Sequence, residues 1–375
     1  MFRKRGQNEG SIYKRRDGRW EAMLNLGWKD GRRLRRRFYG ATRAAVQEQL
    51  IAALRERDQG LLVAVERQTT GQFLDHWLEH SLKPNARPRS YESFETLIRL
   101  HIKPRIGAVA LRKLGPQHIQ TLLDEKLRSG LAPQTVVNIR TVLRSALNRA
   151  VKFNLVARNC AALVDPPQIP RHKVSPLGPG EAKALLEAAR DERLEALYKI
   201  ALTLGLRRGE ILGLRWSDID FDSYHLTVSQ AVQRVNGKLQ ATEVKTDRSR
   251  RRLAMPMQVA AALRSRRVRQ KEERLLAGRW RESGLIFTNT TGGPLEPQML
   301  FRDFRRILAK TGLPRIRFHD LRHSVASLLL ADGAHPRAVM ELLGHSSISM
   351  TMNTYSHVMA PMMRDLADRM DAALG

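Results

Sequence analysis

Residues 202–216 read LTLGLRRGEILGLRW. A helix read over Leu194 to Leu204 ends here, and Leu204-Gly205-Leu206 leads into a turn. Glu210, Ile211 and Leu212 open the next helical segment. Arg207 therefore stands at a helix-to-helix turn, three residues before an acid. Taken alone, this spells a helix start with an ion pair. Three further stretches change its weight. They are KTDRSRRRLAMP at 245–256, HDLRHS at 319–324 and LLGHSSISMTMNTYSH at 342–357.

Each stretch also has a plain reading by itself. His319 and Arg322 open a helix at i, i+3 spacing and share a face, as many solvated helices do. Lys245 ends a strand before an arginine-rich turn, where a lysine commonly only meets solvent. Gly344-His345 precedes a helix expected around Ser347 to His357, and a tyrosine such as Tyr355 on a helix is commonly core or surface. Together they match one chemistry. Displacement at a phosphodiester needs charge on the non-bridging oxygens, an in-line nucleophile, an acceptor for its proton and a donor for the leaving oxygen. Arginine stays charged and grips two phosphate oxygens with its fork. A tyrosine, with its reference pKa of about 10, needs positive charge or a base to become a nucleophile.

The rest of the chain fits a polyanionic substrate. Lys plus Arg number 66 against 37 Asp plus Glu, a formal net charge of +29. Each phosphate neutralised releases counterions, so this excess favours nucleic acid. Cys160 is the one cysteine. That excludes an intrachain disulfide or a cysteine-rich zinc site and fits a reducing bacterial cytosol. No segment reaches the roughly 18 apolar residues of a membrane span, and the start, MFRKRG, lacks the apolar stretch of a secretory signal.

Along the chain, residues 1–62 read as three short strands and a helix. The strands are Ser11–Tyr13, Trp20–Leu26 and Arg33–Tyr39, with turns at Asp17-Gly18 and Asp30-Gly31. The helix spans Thr42–Arg57. Arg32, Arg33, Arg35, Arg36 and Arg37 crowd the third strand beside Trp20, Trp28, Phe38 and Tyr39, a basic sheet of the kind that enters a major groove. Residues 69–165 read as a four-helix bundle. Thr69 and Gln72 have capping-box spacing, the second helix ends before Pro104, and Pro116 and Pro133 open the third and fourth. A proline-rich linker follows at 165–170. From 175 onward helices predominate. A three-stranded meander is expected over Tyr224–Gln233, Gly237–Val244 and Arg251–Ala254, and a short strand at Leu285–Thr288. The arginine-rich residues 264–281 read as a solvated helix face.

The order and spacing of the four motif stretches resemble the tyrosine recombinases, specifically the phage and integrative-element integrases, over essentially the whole length. The resemblance implies a multidomain, mainly α fold with small β-sheets. An arm-type DNA-binding domain (1–62), a helical core-site-binding domain (69–165) and a mixed α+β catalytic domain (175–375) follow in order. It implies that Arg207 and Arg322 clamp the scissile phosphate and that His319 orients it or moves a proton. By the same resemblance Lys245 protonates the departing 5′ oxygen, with Arg248 and Arg250 to Arg252 as nearby substitutes. His345 hydrogen-bonds the phosphate, Glu210 supports the site, and Tyr355 forms a 3′-phosphotyrosyl bond. No cofactor, nucleotide or metal is implied. The implied partners are double-stranded attachment sites of core and arm type and a homotetramer. A host DNA-bending protein and an excisionase are candidate accessory factors, and no membrane is involved. Alternatives within reach of the same residues are a chromosome-dimer resolvase, a type IB topoisomerase and a non-catalytic DNA-binding regulator. Met362, Met363, Leu366, Met370 and Leu374 form a final apolar stripe, suited to docking on a neighbouring subunit or on its own domain.

Overall fold

The structure is a computed structural model that describes residues 10–29, 32–58, 68–170, 175–243, 250–344, 368, 370–372 and 374, with backbone alone for 26–29, 32–34 and 56–58. The chain divides into two compact units, residues 1–171 and 172–375. Helices predominate in both, with small sheets.

The first unit opens with an antiparallel sheet of β1 (Ser11–Lys14), β2 (Trp20–Lys29) and β3 (Arg32–Gly40), followed by α1 (Arg43–Asp58). The first turn forms as the Asp17-Gly18 pair predicts, with Gly18 at φ +82° and its N–H donating to Arg15 O at 3.1 Å. The second turn, Asp30-Gly31, lies outside the described residues. Strand alternation sorts the side chains. Ala22 and Leu24 pack on Val46, Leu50 and Ala53, with Trp20 and Phe38 half-buried against them. The other face carries exposed Tyr13, Arg35, Arg37 and Tyr39. Arg36 alternates to the helix-covered side, where its guanidinium lies 5.0 Å from the Phe38 ring centre. Arg36 is thus on the opposite face from Arg35 and Arg37.

Thr69 caps α2 (Thr70–Trp77) through a reciprocal pair: its hydroxyl accepts from Gln72 N at 3.2 Å and Gln72 Oε1 accepts from Thr69 N at 3.0 Å. A π-helical turn, Leu78–Leu82, extends it. Next come α3 (Pro88–Leu97), a second π-helical turn (Ile98–Ile102) and α4 (Lys103–Ile106). The chain therefore does not leave the helix before Pro104. Proline sits in the first turn of a restarted segment, where its missing N–H costs least. α5 (Pro116–Arg128) and α6 (Pro133–Lys152) open at prolines as expected. Phe73, Trp77, Ile102, Ile119, Ile139 and Leu143 build the core. Each such side chain contributes about 1.5–3 kcal/mol on burial.

The second unit contains α7 (Pro179–Ala188), α8 (Glu195–Thr203), α9 (Arg208–Gly213), β4 (Ile219–Asp220), β5 (His225–Val228), β6 (Gln230–Val235), β7 (Lys238–Glu243) and β8 (Arg251–Ala254). It continues with α10 (Met257–Leu276), α11 (Pro297–Thr311), α12 (Asp320–Ala331) and α13 (Pro336–Leu343). The meander is replaced by two sheets. β5 pairs with β4 and β8, while β6, among the described residues, pairs with β7 alone, across Asn236-Gly237. The run breaks at Ser229, whose hydroxyl donates to Asp218 Oδ1 at 2.9 Å, and Gln230 Nε2 donates to Gly213 O at 2.7 Å. Leu285–Thr288 is buried but is no strand. Its backbone makes isolated bridges to Arg215 and Pro294, and its carbonyls accept from the side chains of Gln270, Arg266 and Arg193. Nor is the arginine-rich helix wholly solvated. Arg266 is buried against Glu273, with Nη1 to Oε1 at 2.7 Å, because that carboxylate compensates its charge.

Candidate active site

The turn at residues 204–207 is built on glycine. Gly205 adopts φ +59°, and a β-carbon there would lie 2.5 Å from Leu343 Cδ2. Two residues on, Arg207 is extended (φ −64°, ψ 145°) and forms the N-cap of α9. Glu210 reaches back to it: Oε2 accepts from Arg207 N at 3.0 Å and Oε1 from Nη1 at 2.9 Å. The same carboxylate takes Arg251, at the start of β8, with Nη2 to Oε2 at 2.9 Å and Nη1 to Oε1 at 3.3 Å. Glu210 is only 3% exposed. Burial works to raise its carboxyl pKa, but hydrogen bonding and charge from Arg251, then Arg207, hold it below the ordinary range.

The end of α13 draws in three arginines. Leu342 O accepts from Arg251 Nε at 3.1 Å, Leu343 O from Arg322 Nη2 at 2.6 Å and Gly344 O from Arg207 Nη2 at 2.7 Å. These are carbonyls that a helix C-terminus leaves unsatisfied, at the end of the dipole that favours cations. Gly344 closes the helix at φ +66°, and a β-carbon there would come within 3.0 Å of Arg251 Nη1. Arg322 is buried and also donates from Nη1 to Gly205 O at 2.8 Å. It therefore ties the glycine turn to the end of α13.

His319 is the N-cap of α12, one turn before Arg322. Its ring meets that of His323 edge-on, with centroids 5.3 Å apart. The residue as a whole is exposed. Partial burial, then the neighbouring His323 and Arg322, push its pKa down to about 4, so the ring is neutral at pH 7. Burial lowers His323 as well. Asp320, beside them, is held by Arg317 at 2.8 Å. Arg207, Arg208 and His319 border a cleft of about 600 Å³ whose apolar lining includes Phe301, Phe304 and Phe318. Among the described residues, no group of three or more His, Cys, Asp or Glu side chains is placed to hold a metal. Also among them, no helix is long and apolar enough to cross a membrane.

A model of the phage integrase family matches residues 177–361, and one of the phage integrase N-terminal SAM-like domain matches 69–127. The tyrosine recombinase XerC-like protein of Caldanaerobacter subterraneus subsp. tengcongensis is 30% identical over 350 residues, covering 88% of this chain and 90% of that protein. The chain belongs to the phage integrase family of tyrosine recombinases. It is accordingly a site-specific recombinase, an enzyme that cleaves and rejoins DNA strands. An integrase of Saccharopolyspora erythraea is 27% identical, covering 99% of this recombinase and 98% of that protein. The fold is shared with the integrase of the Tn1549 transposon in complex with transposon right end DNA. There the TM-score is 0.69 at 23% identity, covering 80% of this chain and 99% of that one. A lambda integrase dimer bound to a core site gives a TM-score of 0.56 at 19% identity, over 95% and 96%.

Of the expected site residues of this recombinase, Arg207, His319 and Arg322, with the supporting Glu210, come together around the ends of α8 and α13 and the starts of α9 and α12. Lys245, His345 and Tyr355 lie outside the described residues, as do all of the expected helix around 347–357 and most of the final apolar stripe. Arg251, named only as a stand-in for Lys245, is instead Glu210's partner. His323 was not singled out, although its i+4 spacing from His319 places it on the same helix face.

Proposed function

We propose that this recombinase exchanges strands between two DNA attachment sites through a phosphotyrosine at Tyr355, integrating or excising a mobile element. The convergence of Arg207, Arg322 and a neutral His319 carries the reading. Arg207, with Arg322 beside it, neutralises the scissile phosphate. Tyr355 Oη attacks phosphorus and its proton passes to His319. The bond to the 5′ oxygen breaks as Lys245 protonates that oxygen, and His345 hydrogen-bonds the phosphate. The bond energy stays in the phosphotyrosine, so resealing needs neither nucleotide nor metal.

The other tyrosines of residues 175–375 support this choice. Tyr198 is fully buried and donates to Asp303 at 2.7 Å, and burial drives its pKa upward. Tyr224 lies beneath the Arg264 guanidinium. Residues 1–62 serve as the arm-site module, 69–165 as the core-site module and 175–375 as the catalytic domain. The working form is a homotetramer on DNA, with a host bending protein and an excisionase as accessory partners and the bacterial cytosol as its location. Arg32, Arg33, Arg35, Arg36 and Arg37 supply the arm contacts. Exposed Arg35 and Arg37, beside Tyr13 and Tyr39, support that assignment.

Covalent trapping on a nicked suicide substrate tests the catalytic reading. Wild-type protein is expected to form an adduct mapped to Tyr355, and Tyr355→Phe to bind the site without forming one. An adduct on another residue refutes the assignment. For the modules, a fragment starting at Thr69 should protect core but not arm sequences in a footprint. Identical footprints refute an arm-binding role for 1–62.

A further inference from the structure

Three consecutive carbonyls at the end of α13 are held by three different arginines, and only two of these have a place in the proposed chemistry. Arg251 is the third. Its side chain is 8% exposed and Glu210's is 4% exposed, so solvent does little to screen the pair. One guanidinium thus spans Glu210 and Leu342 O, two points far apart in sequence. Arg207 makes the parallel connection, from Glu210 to Gly344 O.

The charge count gives this arrangement its meaning. One buried carboxylate between two guanidiniums leaves a net positive charge. With Arg251 removed, Glu210 and Arg207 would neutralise each other, and a phosphate approaching Arg207 would meet an ion pair instead of a cation. The link that fixes Leu342 O would also be lost, next to the carbonyls that Arg322 and Arg207 hold. We propose that Arg251 is a positioning residue for strand cleavage: it takes up Glu210's charge and anchors the end of α13, so that Arg207 faces the phosphate as a cation. This rests on Arg207 being a phosphate ligand.

The test compares Arg251→Met, Glu210→Gln and the double variant in the full chain. Single-turnover adduct formation is measured at saturating DNA, beside the DNA Kd and a thermal melt. Arg251→Met should slow cleavage about tenfold or more with Kd unchanged, as loss of an interaction specific to the transition state does. Adding Glu210→Gln should recover part of that rate, because the carboxylate that would otherwise neutralise Arg207 is gone. A purely structural role predicts the reverse, a double variant that is less stable and slower than Arg251→Met. That result, or Arg251→Met cleaving at the wild-type rate, overturns the proposal. Should Arg251→Met fail to fold, Arg251→Lys keeps the charge but not the fork that spans both acceptors. It should still cleave more slowly at unchanged Kd, and wild-type cleavage by it overturns the proposal. Arg207→Ala separates the two readings: if it cleaves normally, the phosphate role of Arg207 fails, whatever Arg251 does.

Discussion

Replacing Gly205 by alanine tests whether the turn that sets out Arg207 is built as tightly as it looks. Two costs add. An L-residue at φ +59° pays about 1–2 kcal/mol for the left-handed conformation. The new methyl would also sit 2.5 Å from Leu343 Cδ2 and 3.4 Å from Val325 Cβ. Leu343 is fully buried, and its carbonyl is held by Arg322, so it has little room to swing aside. Overpacking of this kind costs about 1–3 kcal/mol. The sum is roughly 2–5 kcal/mol, or a melting temperature lower by roughly 4–20 °C for a unit of this size. Gly312 provides the control. It has φ +66° with nothing within 4 Å of its would-be β-carbon, so alanine there should cost only the conformational term, about 1–2 kcal/mol. Calorimetry of the two variants separates packing from backbone strain. Equal shifts at Gly205 and Gly312, or no shift at Gly205, would refute the packing argument. Gly205→Ala should also slow cleavage, because the Gly205 carbonyl is an anchor for Arg322.

Two other predictions follow from the site. A histidine with a depressed folded-state pKa binds its proton more readily when unfolded, so its contribution is fully present above about pH 6.5 and falls away towards about pH 4. The denaturant midpoint should therefore drop between pH 7 and pH 5, and His319→Gln should flatten that slope; an unchanged slope would exclude His319 as its source. The depressed carboxylates Glu210 and Asp320 act in a lower window, below about pH 4.5, where protonation breaks their arginine contacts. Adduct formation should proceed in excess EDTA without nucleotide, and strict dependence on a divalent ion would point to metal-assisted chemistry instead.

The sequence was most legible where local chemistry and tertiary packing agree. Asp17-Gly18, the Thr69–Gln72 box, Pro116 and Pro133 each fix a boundary through their own backbone preferences, and each boundary forms as expected. Reading fell short where a distant partner decides. Ser229 looks like the middle of a strand until Asp218 takes its hydroxyl and the sheet divides. Leu285–Thr288 has the composition of a strand, but its hydrogen bonds go to the side chains of Gln270, Arg266 and Arg193 and to isolated bridges, so no ladder forms. The candidate site shows both cases. Motif spacing picks out Arg207, Glu210, His319 and Arg322, because the chemistry needs those residue types. Spacing cannot show that Arg207, Arg251 and Arg322 meet on successive carbonyls of one helix end, since they come from three elements separated by up to 115 positions in the chain. Burial beside Glu210 distinguishes Arg251 from the exposed Arg250 and Arg252, and only the folded chain supplies that burial. A cation buried against a carboxylate and a helix end is held in place by geometry, which is why its proposed effect on cleavage must be read at saturating DNA and not from affinity.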